Sequence, residues 1–208
     1  MRTDRRSDSI IGLMTETNDL PALVERWAAG DQEAFDLVVQ LLYDDLRLIA
    51  HRHLTRERDH HTLSTTALVN EVYIELSKRT GPAWRGRPQF FALVSKVMRH
   101  LLIDYARRRN AERRGGQELH VSLDEGGMCT TSREVELLSL DDALSQLEQH
   151  NERMAQIVEC RFFGGMQHKE IGGALGVSTR TVEREWRRAR AYLFTVLEHE
   201  SAPHRPGS

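Results

Sequence analysis

The 208-residue chain has only two cysteines, Cys129 and Cys160, which lie 31 positions apart with no CxxC pair or ligand cluster beside either. That pattern excludes a disulfide framework and a cysteine-based zinc site, and it fits a reducing compartment. No apolar run approaches the roughly 18 residues of a membrane span. The opening MRTDRRSDSIIGLM, interrupted by Asp4 and Asp8, holds too little apolar sequence for a signal-peptide core. A soluble cytoplasmic protein with no membrane partner is expected. Enzymatic signatures are missing as well: no nucleophile elbow, phosphate loop or paired-carboxylate motif occurs, so no catalytic residue and no cofactor is assigned. His51, His53, His60 and His61 invite a metal reading. Residues two apart on a helix point away from each other, however, and no carboxylate or thiol completes a set, so no metal ligand is assigned.

An excess of charge is lacking too. The 29 Lys and Arg against 31 Asp and Glu leave a net charge of -2, which announces neither nucleic acid nor membrane. The distribution is more telling than the total. Segment 14–45 carries eight acids and one arginine, 96–114 seven bases and two acids, 115–152 nine acids and one arginine, and 178–190 five arginines and two glutamates. Charge therefore comes in blocks.

Strand signals are nearly absent, and the long segments follow helical spacing. Leu37, Val38, Leu41, Leu42, Leu46, Ile49 and Ala50 recur at steps of three and four, with Gly30-Asp31 separating a short helix from this longer one. Leu68, Val72 and Leu76 repeat the pattern up to Gly81-Pro82. A third long helix starts at Arg87-Pro88 and turns Phe90, Val94, Val97, Leu101 and Tyr105 inward, leaving its arginines at the far end. Residues 111–133 contain four glycines and no sustained period, which reads as a flexible linker. Thr131 followed by Glu134 fits a capping box for the next helix. The expected architecture is all-α: an extension over 1–18, a helical domain over 19–110, the linker over 111–133, a second helical domain over 134–200 and a disordered tail over 201–208.

The second domain contains QHKEIGGALGVSTRTVEREWRRAR, residues 167–190. A helix-turn-helix needs an inner apolar face, a tight turn, a corner hydrophobe and a cap at fixed offsets. Ile171, Ala174 and Leu175 supply the inner face, Gly176 the left-handed turn, Val177 the corner and Ser178 the cap. Gly172 and Gly173 weaken the first helix by roughly 1 kcal/mol each. On the second helix Val182, Trp186, Ala189 and Leu193 share one stripe, and Arg180, Glu183, Arg184 and Arg187 lie opposite. Arginine suits a reading face because its fork bonds the two acceptors of guanine or grips phosphate. Ser178 and Thr179 at the helix start reach backbone or base edges.

EIGGALGVSTRTVEREWRRARAYL resembles the carboxy-terminal pattern EIAxxLGVSxxTVxxRxxRARxxL of bacterial sigma-70 family factors of the extracytoplasmic-function (ECF) type. ALVNEVYIEL is similar to their second conserved region, with Ala67 and Asn70 in place of aspartate and glutamine, and WRGRPQFFALVSKVMRHLLIDYARRR to the segment that captures and opens the promoter's minus-ten element. Glu183 stands where lysine is frequent, Leu93 where tryptophan is, and His100 where asparagine is. The resemblance implies a sigma factor with region 2 over 19–110 and region 4 over 134–200. Its partners would be core RNA polymerase, through the largest-subunit clamp coiled coil and the flap, and promoter DNA. An anti-sigma factor is a further partner the family allows. The implied polymerase contacts are Leu68, Asn70, Glu71 and Glu75. The implied minus-ten contacts are Trp84, Arg85, Phe90, Lys96, Arg99, His100, Arg107 and Arg108, with Phe91 beside them, and core packing is the competing role for Phe90 and Phe91. The implied minus-35 contacts are Ser178, Thr179, Arg180, Glu183, Arg184, Arg187 and Arg188.

The linker's 23 residues extend about 80 Å at roughly 3.5 Å each. A spacer of roughly 17 base pairs at 3.4 Å each needs about 58 Å, so one domain can reach each element. Two rivals stay open on the sequence alone: a self-sufficient helix-turn-helix regulator that needs no polymerase, and a metal hydrolase built on the histidines.

Overall fold

The computed structural model describes residues 20–54, 63–79, 86–115 and 133–201. These form nine α-helices, with no strand among the described residues. They are α1 (Leu20–Ala28), α2 (Gln32–Leu41), α3 (Tyr43–Leu54), α4 (Thr65–Ser77), α5 (Arg87–Gly115), α6 (Arg133–His150), α7 (Glu152–Phe162), α8 (His168–Leu175) and α9 (Thr179–Ser201). Short polar residues start several of them. Asp31, Ser64 and Asn151 accept from the backbone N–H groups of Ala34, Ala67 and Met154 at 3.1, 3.1 and 3.0 Å, satisfying donors that the first turn leaves unpaired.

The N-terminal module closes around Val24, Trp27, Phe35, Val38, Leu46, Leu68, Val72 and Leu76, all buried. Trp27 packs on Phe35 with ring centroids 4.8 Å apart and meets Phe90 of α5 edge-on at 6.2 Å. The C-terminal module, α6 to α9, buries Leu144, Leu147, Ile157, Phe163, Ile171, Val182 and Ala189. Each Val, Leu, Ile or Phe among them contributes about 1.5–3 kcal/mol on leaving water.

α5 belongs to both modules. At 29 residues it is about 43 Å long, and it packs on α4 on one side and on α6, α7 and α8 on the other. Its sequence shows why. Phe90, Val94 and Val97 form the expected inward row, while Phe91, Ser95, Met98, Leu102 and Ala106 are also buried. This second row lies roughly a third of a turn round the helix from the first.

Three boundaries differ from the sequence expectation. The long second helix is interrupted at Leu42 (φ -105°, ψ 7°), giving α2 and α3. The linker does not begin at 111, because α5 continues to Gly115; nothing in Ala111 to Arg114 breaks a helix before the Gly115-Gly116 pair. α9 includes Ser201, the first residue assigned to the tail. The Thr131 cap lies outside the described residues, as do the extension over 1–18 and the tail from 202.

Candidate nucleic-acid interface

The stretch 167–190 folds as a helix-turn-helix. Gln167 and Glu170 form a capping box at the start of α8, with Gln167 N–H donating to the Glu170 carboxylate at 2.7 Å. Gly176 ends the helix at φ 67°, ψ 30°, and Val177 N–H returns to the Gly172 carbonyl at 3.0 Å. This turn explains Gly172: a Cβ there would stand 2.7 Å from the Val177 carbonyl. Ser178 Oγ then accepts from Thr181 N–H at 3.2 Å and opens α9.

α9 rests on α6, α7 and α8. Val182, Ala189 and Leu193 are buried, and Trp186 is half-buried with its ring near His168. Facing away, Ser178, Thr179, Arg180, Glu183, Arg184, Arg187 and Arg188 are all exposed. Among the described residues Arg180, Arg187 and Arg188 have no ion-pair partner, and Arg184 approaches Glu185 at 3.6 Å. Sequence reasoning missed Glu185, which is 4% exposed in the inner row. Arg153 of α7 grips it with two bonds of 2.7 and 2.5 Å. Those hydrogen bonds hold the Glu185 carboxyl below its ordinary pKa despite burial.

The α5 candidates separate by direction. Lys96, His100, Arg107 and Arg108 are exposed. His100 lies 3.2 Å from Asp104, and Arg107 lies 4.0 Å from Asp104 and 3.1 Å from Asp141. Arg99 instead turns into the C-terminal module, its side chain only 14% exposed, and pairs with Asp141 at 2.7 Å and Glu159 at 3.4 Å. Burial raises the Glu159 carboxyl above its usual pKa, outweighing the Arg99 attraction. Phe90 requires a correction: it is fully enclosed between Trp27 and Phe91 and has no face left for a base. Trp84 and Arg85 lie outside the described residues. Arg87, not picked out in the sequence, stacks on the Phe91 ring at 4.9 Å and bonds Asp45 at 2.8 Å and Glu170 at 3.2 Å.

On α4, Asn70 and Glu71 are exposed, and Glu75 is half-buried beside Lys78 at 2.6 Å, whose hydrogen bond lowers the carboxyl's pKa. Leu68 is the second correction. It is fully buried in the N-terminal core and offers nothing to a partner. Beside Asn70 a groove lined by Val39, Gln40, Tyr43, Val69 and Tyr73 adds apolar surface that helical periodicity did not reveal.

Among the described residues no group of three or more His, Cys, Asp or Glu could hold a metal, and no helix is long and apolar enough to cross a membrane. His53 is buried and donates through Nε2 to the Phe163 carbonyl at 3.2 Å. His60 and His61 lie outside the described residues. Burial raises the Cys160 thiol to a pKa of about 12, which leaves it a poor nucleophile.

Two helical modules, one ending in a capped helix-turn-helix with an arginine face, define a helical DNA-binding transcription protein. The ECF sigma factor family model matches residues 17–199, most of the chain, and the protein belongs to that family. No curated protein matches it. As a family member it is a transcription-initiation factor that works with RNA polymerase on promoter DNA, and it is not an enzyme. That decides against the self-sufficient regulator and the hydrolase.

Proposed function

We propose that α9 reads the upstream, minus-35 promoter element through Arg180, Glu183, Arg184, Arg187 and Arg188, with Ser178 and Thr179 at its start. α5 and the segment before it handle the minus-ten element through Trp84, Arg85, Lys96, Arg99, His100, Arg107 and Arg108. Asn70, Glu71 and Glu75 of α4, with the neighbouring groove, receive the clamp coiled coil of core polymerase. The flap is assigned to the C-terminal module. In this reading the protein directs polymerase to promoters and assists their opening, its work being binding energy placed on bases.

The observation that carries the reading is the outward row of arginines on α9 immediately after the Gly176 turn. A helix set off by such a turn presents its N-terminal residues to the major groove. Transcription in vitro from a genomic library with core polymerase identifies the promoter. On that promoter Arg180→Ala or Arg187→Ala lowers initiation as expected for a lost base contact of about 1–3 kcal/mol, while a phosphate contact instead flattens the salt dependence. Wild-type output from both variants would mean that the reading face has been misplaced.

A further inference from the structure

We propose that Glu183 sets the base preference of the reading helix: its carboxylate accepts from the amino group of a cytosine, so the minus-35 element carries a C·G pair within about two base pairs of the positions read by the neighbouring arginines. This rests on the assignment of α9 above. The two glutamates set among the arginines of α9 have opposite fates. Glu185 is 4% exposed and is spent on Arg153. Glu183 is exposed and has no ion-pair partner among the described residues. Arg180 stands three residues before it and Arg187 four after, the spacing at which helix neighbours pair. Neither is bonded to it, so all three side chains face outward with their hydrogen-bonding capacity unspent.

No other group at the start of α9 can take this role. Ser178 Oγ is occupied, accepting from Thr181 N–H at 3.2 Å and sharing a hydrogen bond of 2.9 Å with Thr181 Oγ1. Arg180, Arg184, Arg187 and Arg188 only donate, and the Thr179 hydroxyl donates as readily as it accepts. Glu183 is thus the one acceptor-only side chain exposed between Ser178 and Arg188.

An ionised carboxylate in the major groove selects by elimination. Guanine presents two acceptors there, N7 and O6, and thymine presents O4, so each repels it. Adenine offers an N6–H donor but sets the N7 acceptor beside it. Cytosine alone offers an amino donor, N4–H, with no acceptor on its own major-groove edge. The guanine paired with it keeps N7 and O6 for an arginine fork. Position allows the contact, because Glu183 is the fifth residue of α9 and lies in the N-terminal part that faces base edges in this docking. Arg180 and Arg187 stand about 4.5 and 6 Å from it along the axis at roughly 1.5 Å per residue. That separation is about one to two base pairs at a rise of roughly 3.4 Å.

The full chain with core polymerase tests this. The promoter found in the genomic library is rebuilt with its upstream element randomised, and the transcribed templates are sequenced. Wild type is compared with Glu183→Gln, Glu183→Ala, Glu183→Lys, Arg180→Ala and Arg187→Ala. All three side chains are exposed, and an unchanged thermal midpoint confirms that each variant folds. With the wild type one position should favour cytosine about tenfold, the scale of one good base contact. At that position Glu183→Gln should favour adenine, whose N6 and N7 its amide pairs, Glu183→Lys should favour guanine, and Glu183→Ala should favour no base. Gln and Ala remove the same charge, so a difference between them separates base contact from relief of repulsion by phosphate. If the Glu183 variants keep every wild-type preference while an arginine variant alters one, the cytosine contact is overturned and α9 remains the reading helix. If Glu183→Gln only weakens a guanine preference that Arg187→Ala also weakens, Glu183 braces that arginine and the contact is likewise overturned. If no variant changes any preference, the reading face falls together with the proposal.

Discussion

Glu185 sits in the inner row of α9, where amphipathic spacing asks for an apolar side chain. A carboxylate survives there because Arg153, 32 positions earlier, meets it with two hydrogen bonds. The pair fixes α9 on α7 and so sets the direction in which Arg180 and Arg187 point. The hydrogen bonds from Arg153 lower the folded pKa of Glu185 below the unfolded value of about 4.3. The pair therefore stabilises the fold above that pH, and the contribution is lost as pH falls through the lowered folded value. Arg153→Met should reduce the thermal midpoint at pH 7, and the gap from wild type should narrow as pH falls below about 4.3 and through the lowered folded value. A gap that stays the same as the acid limb is descended would mean that packing by the arginine stem, rather than charge, matters at this site.

The turn between α8 and α9 makes an element-scale prediction, because three nearby glycines should respond differently to alanine. Gly176 has φ 67°, and a side chain there costs about 1–2 kcal/mol. Gly172→Ala also destabilises, since its Cβ would press on the Val177 carbonyl. Gly173→Ala has room against Pro88 and should stabilise α8 by about 0.5–1 kcal/mol through helix propensity. Chemical denaturation of the three variants checks the signs, and a destabilised Gly173→Ala would mean that α5 and α8 sit closer than in this structure. Trp186 belongs to the same element and is half-buried. Its truncation to alanine should cost less than the about 3–5 kcal/mol of a fully buried aromatic.

Across the whole molecule the charge blocks face each other. Arg99 and Arg107 of the basic block of α5 meet Asp141 of α6, while Lys96 and Arg108 of that block and the arginine row of α9 stay exposed. The isolated protein should bind promoter duplex weakly and with strong salt sensitivity, and specifically only once core polymerase is present. Two weak contacts held at promoter spacing then act as one multivalent grip. A gel-shift titration at physiological salt with and without core enzyme measures this. Tight, sequence-specific binding by the protein alone would show that α9 suffices without a partner.

The sequence by itself determined what depends on neighbours within about one helical turn. The helices, the Gly176 turn, the Ser178 cap and the outward row of α9 all follow from interactions between residues no more than five apart. Those interactions are written in local spacing. Only the tertiary structure decided what each buried row packs against. Periodicity placed Phe90 and Leu68 on helix faces, but burial took them from the contacts implied for them. Arg99 read as one exposed base of a basic block, and it is enclosed by Asp141, 42 positions later, and Glu159, 60 positions later. A helix stripe records that a side leaves water, and the partner that covers it is chosen by the packing of the whole chain.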